Sequence, residues 1–404
     1  MLSNANNVAL NYLNISNTGL HGVQGTNISD LDLTGMQFTN VGSTSAHHGV
    51  FLTNLSGTVG ETSVLDDVTF NNIAGRGVFV NNTSAVGALT IQGGSSFSNI
   101  GLQGVLLETN GAAAGLTANI GNASAVGVGE TVTFSGTGAS AVAMNANTGN
   151  INGTVQNSLF NAGATDLPNA IEGSSSGIAG NSTLTVSVTA NNITVPNGVG
   201  TSRGGISFTA GSAVGQGSAS GVVSNNIINS AEQTVFGINI SNNGNTSAAQ
   251  NSWTIDNNTI NLTATGAAAT TQGIFIEANS ATSPAGISAN ISNNNVTVAG
   301  GSGFTTGIGV VAGNANNANQ GSACVSLSNN TANAANATLD GNVPAGSADI
   351  VVLSFSSNTI NVAGLPAGNA TAAAVDTFVT GANTADTFVF PNAVASYAGA
   401  VACP

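Results

Sequence analysis

The chain has 404 residues, of which two are Arg and none is Lys, against sixteen Asp plus Glu, for a formal charge of −14. Neutralising a phosphate backbone or an anionic bilayer surface takes clustered cations, so nucleic acid and acidic membrane are disfavoured as partners. With 41% apolar residues and only 4% charged ones, the composition also argues against a self-repelling disordered polymer.

The opening "MLSNANNVALNYLNIS" lacks a basic stretch followed by a continuous apolar run, so it does not read as an export leader. An apolar pattern is already running by Leu10, and the expectation is that Met1 opens an excerpt of a longer polypeptide. No stretch reaches the ~18 uninterrupted apolar residues of a spanning helix, so no membrane insertion is expected.

From Leu10 onward a short word recurs, with an apolar residue on either side of a polar pair that is often Asn-Asn, as in "IDNNTI" at 255–260. Its closing residues are Ile15, Phe38, Phe70, Phe97, Phe134, Phe160, Ile193, Ile228, Ile260, Val296, Ala332 and Ile360, spaced 23 to 37 apart. A second motif follows each copy, a small residue opening an apolar or alternating run: "GVFL" at 49–52, "GVFV" at 77–80, "GVLL" at 104–107, "GINI" at 237–240 and "GIFI" at 273–276. These runs are β-branched or aromatic and bounded by Gly, Asn, Ser and Thr, which predicts strands. Helix is disfavoured, because Gly, Asn, Ser and Thr pervade the chain and no 3.6-residue period persists.

A period of about thirty residues, with variable turns between fixed words, predicts an all-β parallel solenoid of about 12 coils. At the ~4.8 Å spacing of neighbouring strands that is a rod of roughly 55 to 60 Å. Copies of one letter then lie above one another, so Asn191, Asn226, Asn258, Asn294, Asn330 and Asn358 are expected to form a hydrogen-bonded ladder. Residues 1–375 form the coils. Residues 376–404 break the repeat and are expected to be a terminal strand pair or cap. Cys324 and Cys403 are too few for a disulfide scaffold; they are either two buried thiols or one bridge, which would restrict the unfolded chain by roughly 4 kcal/mol.

The pattern "NNTINLTATGAAATTQGIFI" at 257–276 resembles the right-handed parallel β-helix superfamily over roughly residues 8–380. The resemblance implies right-handed winding, in keeping with the crossover rule for parallel strands. The superfamily includes pectin-degrading enzymes, phage tailspikes and stalk regions of bacterial surface proteins. The low-charge, Asn/Thr/Gly-rich style is most similar to the last of these.

The resulting expectation is a non-enzymatic structural or adhesive segment of a larger bacterial surface protein, outside the cell. It would take a carbohydrate or a surface protein as ligand, associate with itself end to end or laterally, and use no cofactor or metal. One candidate contact column is His21, His48, Arg76 and Gln103, each just before the residue that opens a second-motif run. The alternative is a polysaccharide-active enzyme or a tailspike-like glycan binder. For an enzyme the candidates are Asp30, Asp32, Asp66 and His48, since glycoside hydrolysis uses two carboxylates, about 6.5 to 9.5 Å apart for inversion. Asp30 and Asp32 alternate with Leu31 and Leu33, which on an extended strand puts them on one face about 6.5 to 7 Å apart. Asp66 with Asp67 resembles the paired aspartates of polygalacturonases. That family's N-x-D element and its Lys have no counterpart here, and Asp67 occupies the corner position held elsewhere by Asn157, Asn225 or Asn257.

Overall fold

The computed structural model describes the chain except residues 58–60, 125–129, 162–168, 178–180, 196–203, 213–214, 231–235, 245–246, 249, 265–270, 281–284, 301–304, 314–320, 335–348, 355–357, 386–387, 390–395, 401 and 404. Two compact units divide it, Met1–Gly198 and Val199–Pro404. Each is a parallel β-helix whose strands stack in three columns.

In the first unit, the first column runs from the early part of Val23–Thr34 through Val50–Ser56, Val78–Asn82, Val105–Thr109 and Val142–Ala146 to Asn169–Ser175, every neighbour parallel. Asn6–Asn11, the later part of Val23–Thr34, Ser63–Asp66, Val86–Gln92, Gly115–Ile120, Asn150–Gln156 and Thr183–Thr189 make the second. The third column carries the closing letters of the word, with Ile15 opposite Phe38, Phe38 opposite Phe70, Phe70 opposite Phe97, Phe97 opposite Phe134, Phe134 opposite Phe160 and Phe160 opposite Ile193.

Register converts these letters into an internal stack. The rings of Phe38, Phe70, Phe97, Phe134 and Phe160 lie 4.7 to 4.9 Å apart and within 14° of parallel. All are 2% exposed or less. The Gly of the second motif follows from this stack. A Cβ on Gly49 or Gly77 would sit 2.6 Å from the ring of Phe70 or Phe97 and 2.6 Å from the carbonyl oxygen of the glycine one coil on. A small residue is needed for the chain to turn into its first-column strand that close to the rings: Gly at 22, 49, 77 and 104, and Ala at 141.

The second unit repeats the plan, with Ile228, Ile260, Val296 and Ala332 in register in the third column. Here the Asn-Asn pair divides its work. The first Asn is exposed and takes the left-handed conformation, with φ of 57° at Asn225, 52° at Asn257, 56° at Asn293 and 56° at Asn329, turning the chain from the second column into the third. Asn tolerates that region better than most residues. The second Asn is buried. Its Oδ1 accepts two bonds from the preceding coil: Asn258 from the Asn226 amide and Nδ2 at 3.1 and 3.0 Å, Asn294 from Asn258 at 3.0 and 2.9 Å, and Asn330 from Asn294 at 3.1 and 2.9 Å. In the first unit Asn191 works the same way, accepting from the Ser158 amide at 3.1 Å and donating to the Val155 carbonyl at 2.9 Å.

Asn358 does not belong to this ladder. Its strand, Thr359–Ala363, stacks on Gly321–Ser328 in the second column, placing Ile360 opposite Ala323 rather than Ala332. Asn358 Oδ1 instead accepts from the Gly321 amide. The next rung is Asn383, whose Oδ1 accepts from the Asn330 amide and Nδ2 at 2.9 and 2.8 Å. Thr384–Ala385 then continues the third column, Ala332 facing Ala385. Phe355, the apolar residue five positions before Ile360, lies outside the described residues.

The tail therefore adds a further turn to the columns. Phe388–Val389 and Ser396–Ala400 add parallel strands to Ile350–Ser354 and Thr359–Ala363, and Gly368–Ala370 runs antiparallel to Ser396–Ala400. Before them stands the one helix among the described residues, Ala372–Ala382. Thr371 caps it, Oγ1 accepting from the Ala374 amide at 3.2 Å, an Ala-rich first turn favours it, and Val375 and Val379, one turn apart, are buried. Helix propensity over these few residues prevails where the chain-wide composition disfavours helix. Among the described residues no helix is long and apolar enough to cross a membrane. Cys324 and Cys403 form a disulfide, with Cα atoms 5.4 Å apart.

Candidate functional site

The predicted column of His21, His48, Arg76 and Gln103 is assembled by the corners that lead into the first-column strands of the first unit. Each turn presents one of these residues two positions before a buried valine, with a Gly between, and coil stacking brings them into contact. The His48 amide donates to His21 Nδ1 at 3.0 Å, the Arg76 amide donates to His48 Nδ1 at 3.1 Å, and Arg76 Nε donates to Gln103 Oε1 at 2.9 Å. His48 is 3% exposed. Burial first, and then the positive charge of Arg76, hold its imidazole neutral with a pKa lowered to about 3. Burial also lowers His21, helped by neighbouring His47.

Two further residues belong to this patch. Phe51 and Phe79 occupy alternate positions between buried valines and leucines, so their rings point outward, stacked 5.2 Å apart at 18°. The His21 ring lies 5.0 Å from Phe51, and the Arg76 guanidinium sits 4.8 Å above the Phe79 ring. The middle letters of "GVFL" and "GVFV" carried that signal: in an alternating run the second apolar residue faces away from its neighbours. The outcome is a half-buried aromatic and cationic surface that can stack on a planar or ring-shaped ligand and donate hydrogen bonds to it.

The acidic candidates are dispersed relative to this patch. Asp30 has φ of 55°, so the chain bends there and the extended i, i+2 geometry expected of Asp30 and Asp32 does not apply. Asp32 faces outward on the second column, opposite Ala9 and Val64. Asp66 lies on the same column opposite Thr34 and Gln92; burial, and then Asp67, raise its pKa. Asp67 takes the corner with φ of 54°, its Oδ1 accepting from the Gly94 amide at 2.7 Å. His48 opens the first column, and the charges that bear on it are those of Arg76, His21 and His47. Thus His21, His48, Arg76 and Gln103 are brought together, whereas Asp30, Asp32 and Asp66 are not joined to His48. No group of His, Cys, Asp and Glu with metal-holding geometry occurs among the described residues. No protein-family model, curated protein or solved structure matches the chain.

The low pKa of His48 gives a pH test. A group that binds its proton more weakly when folded stabilises the fold above its unfolded pKa of ~6.5, and that contribution is lost as pH falls toward 3. In the same unit Asp66 is raised by burial and then by Asp67, and acts in the opposite sense, its contribution being present below its unfolded pKa and lost as pH rises. The first unit should therefore lose stability as pH drops from 7 to 5. His48→Asn, which retains an acceptor near the Nδ1 position, should flatten that dependence in thermal melts.

Proposed function

We propose that this chain is a non-enzymatic, extracellular structural or adhesive β-helix segment of a larger bacterial surface protein. The observation that carries this reading is the use to which its polar side chains are put. His21, His48 and Arg76 tie one coil to the next, and the buried asparagines do the same in the second unit. A neutral imidazole whose Nδ1 is occupied by a backbone amide is suited to holding a turn, and less so to collecting a proton in catalysis. The Cys324–Cys403 bridge supports an oxidising compartment. Adhesive contact would run through the Phe51, Phe79 and Arg76 patch, where aromatic faces and a guanidinium suit a carbohydrate.

Incubation with pectins, alginates and host glycans tests the reading. No depolymerisation is expected, and Asp66→Asn should change nothing. Depolymerisation that disappears in Asp66→Asn would establish the enzymatic alternative.

A further inference from the structure

In the second unit a cleft of roughly 650 Å³ opens between the outer face of the second column and the helix Ala372–Ala382. Its floor is a row of outward side chains in register, Thr254 opposite Asn290 and Asn290 opposite Ser326. Phe378 of the helix and Cys403, held by its bridge to Cys324, line it from the other side.

The floor differs from the rows around it. One step along the strands, Asp256 Oδ1 accepts from Ser292 Oγ at 2.6 Å, and beyond that the asparagine ladder is bonded at every rung. The side chains of Thr254, Asn290 and Ser326 have no hydrogen-bond partner among the described residues and face the cleft. Three aligned groups, each able both to donate and to accept, therefore stand open at the ~4.8 Å pitch of the coils.

We infer that this cleft binds a small neutral saccharide. Sugar hydroxyls also donate and accept, which matches a floor of hydroxyls and an amide; the C–H face of a pyranose matches the Phe378 ring. The volume falls within the ~300 to 1,000 Å³ of small-molecule sites. No Asp, Glu, Arg or His lines it among the described residues, so an anionic or cationic ligand would be buried there without a counter-charge. The inference stands apart from the surface role proposed above, since it involves neither the His21 column nor the Phe51 patch.

The Trp253 side chain is buried and stacked on Phe208 beneath the floor, so occupancy is read by heat of binding and by ligand NMR rather than by its emission. The test titrates the intact protein with glucose, galactose, mannose and N-acetylglucosamine, with glucuronic acid as charged comparison, following isothermal titration calorimetry and saturation-transfer NMR. Saturable binding of at least one neutral sugar is expected. Asn290→Ala and Ser326→Ala should each weaken it about tenfold, the loss of one hydrogen bond, and Phe378→Ala should weaken it too. Asn290 and Ser326 point outward, so their unfolding midpoints should stay at the wild-type value. The inference is overturned if none of the four sugars saturates, if glucuronic acid binds more tightly, or if the Asn290 and Ser326 variants bind as well as wild type.

Discussion

Asn294→Ala should destabilise the second unit by about 3 to 5 kcal/mol, whereas Asn293→Gly, one residue away, should change it by less than about 1 kcal/mol. The difference lies in what each side chain does. Removing the Asn294 amide strands the buried Asn258 backbone N–H, now bonded at 3.0 Å, and deprives the Ile255 and Ser292 carbonyls of the Asn294 Nδ2 donor, each at 2.9 Å, while Asn258 Nδ2 keeps the Val223 and Asp256 carbonyls. A buried donor left without an acceptor costs about 1 to 3 kcal/mol. Asn293 is exposed with φ of 56°, a conformation glycine adopts freely. It gives up only its surface bond to Asp256 Oδ1. Urea unfolding followed by Trp253 emission measures both, because that residue is buried in the same unit and stacked on Phe208 at 5.4 Å. Equal midpoints for the two variants would refute the division of labour within the pair.

The second large effect is expected in the aromatic stack. Phe97 is fully buried, with Phe70 at 4.8 Å on one side and Phe134 at 4.7 Å on the other. Phe97→Ala removes the ring, leaves a cavity costing about 3 to 5 kcal/mol and forfeits two stacked pairs. Loss of the first unit's cooperative unfolding at physiological temperature is the expected result. Phe79→Ala, on the outward face of a neighbouring column, should cost only about 1 kcal/mol. Calorimetry with hydrogen exchange across Ser96–Ile100 distinguishes them. Comparable losses would mean that Phe97 does not stand inside the stack.

Much of the architecture was legible because solenoid neighbours share a letter. Ile260 and Val296, like Phe70 and Phe97, look alike in sequence for the physical reason that they touch. The limits of that logic appear at Asn358. "SNTI" at 357–360 matches the word, but a word does not name its column, and this copy serves the second. The true rung is in "GANTAD" at 381–386, which echoes "SNNTAN" at 328–333 but follows a helix that the coil period gives no reason to expect. The corner position of the first Asn was legible at Asn157, Asn225 and Asn257, but its left-handed φ was not, because conformation and ladder bonding favour the same residue type. Of the candidate sites, the His21 column could be read because its members precede the same motif. Thr254, Asn290 and Ser326 could not, since the cleft exists only once the helix and the disulfide return the tail to a face some 80 to 150 residues earlier.

In a stacked solenoid, equivalent residues of successive coils lie side by side. Paired nitroxide labels at Asn261 and Thr297, register partners on the third column, test this in solution by continuous-wave EPR. Strong dipolar and exchange broadening is expected for that pair but not for either label alone. Sharp, additive spectra would contradict the stacked solenoid.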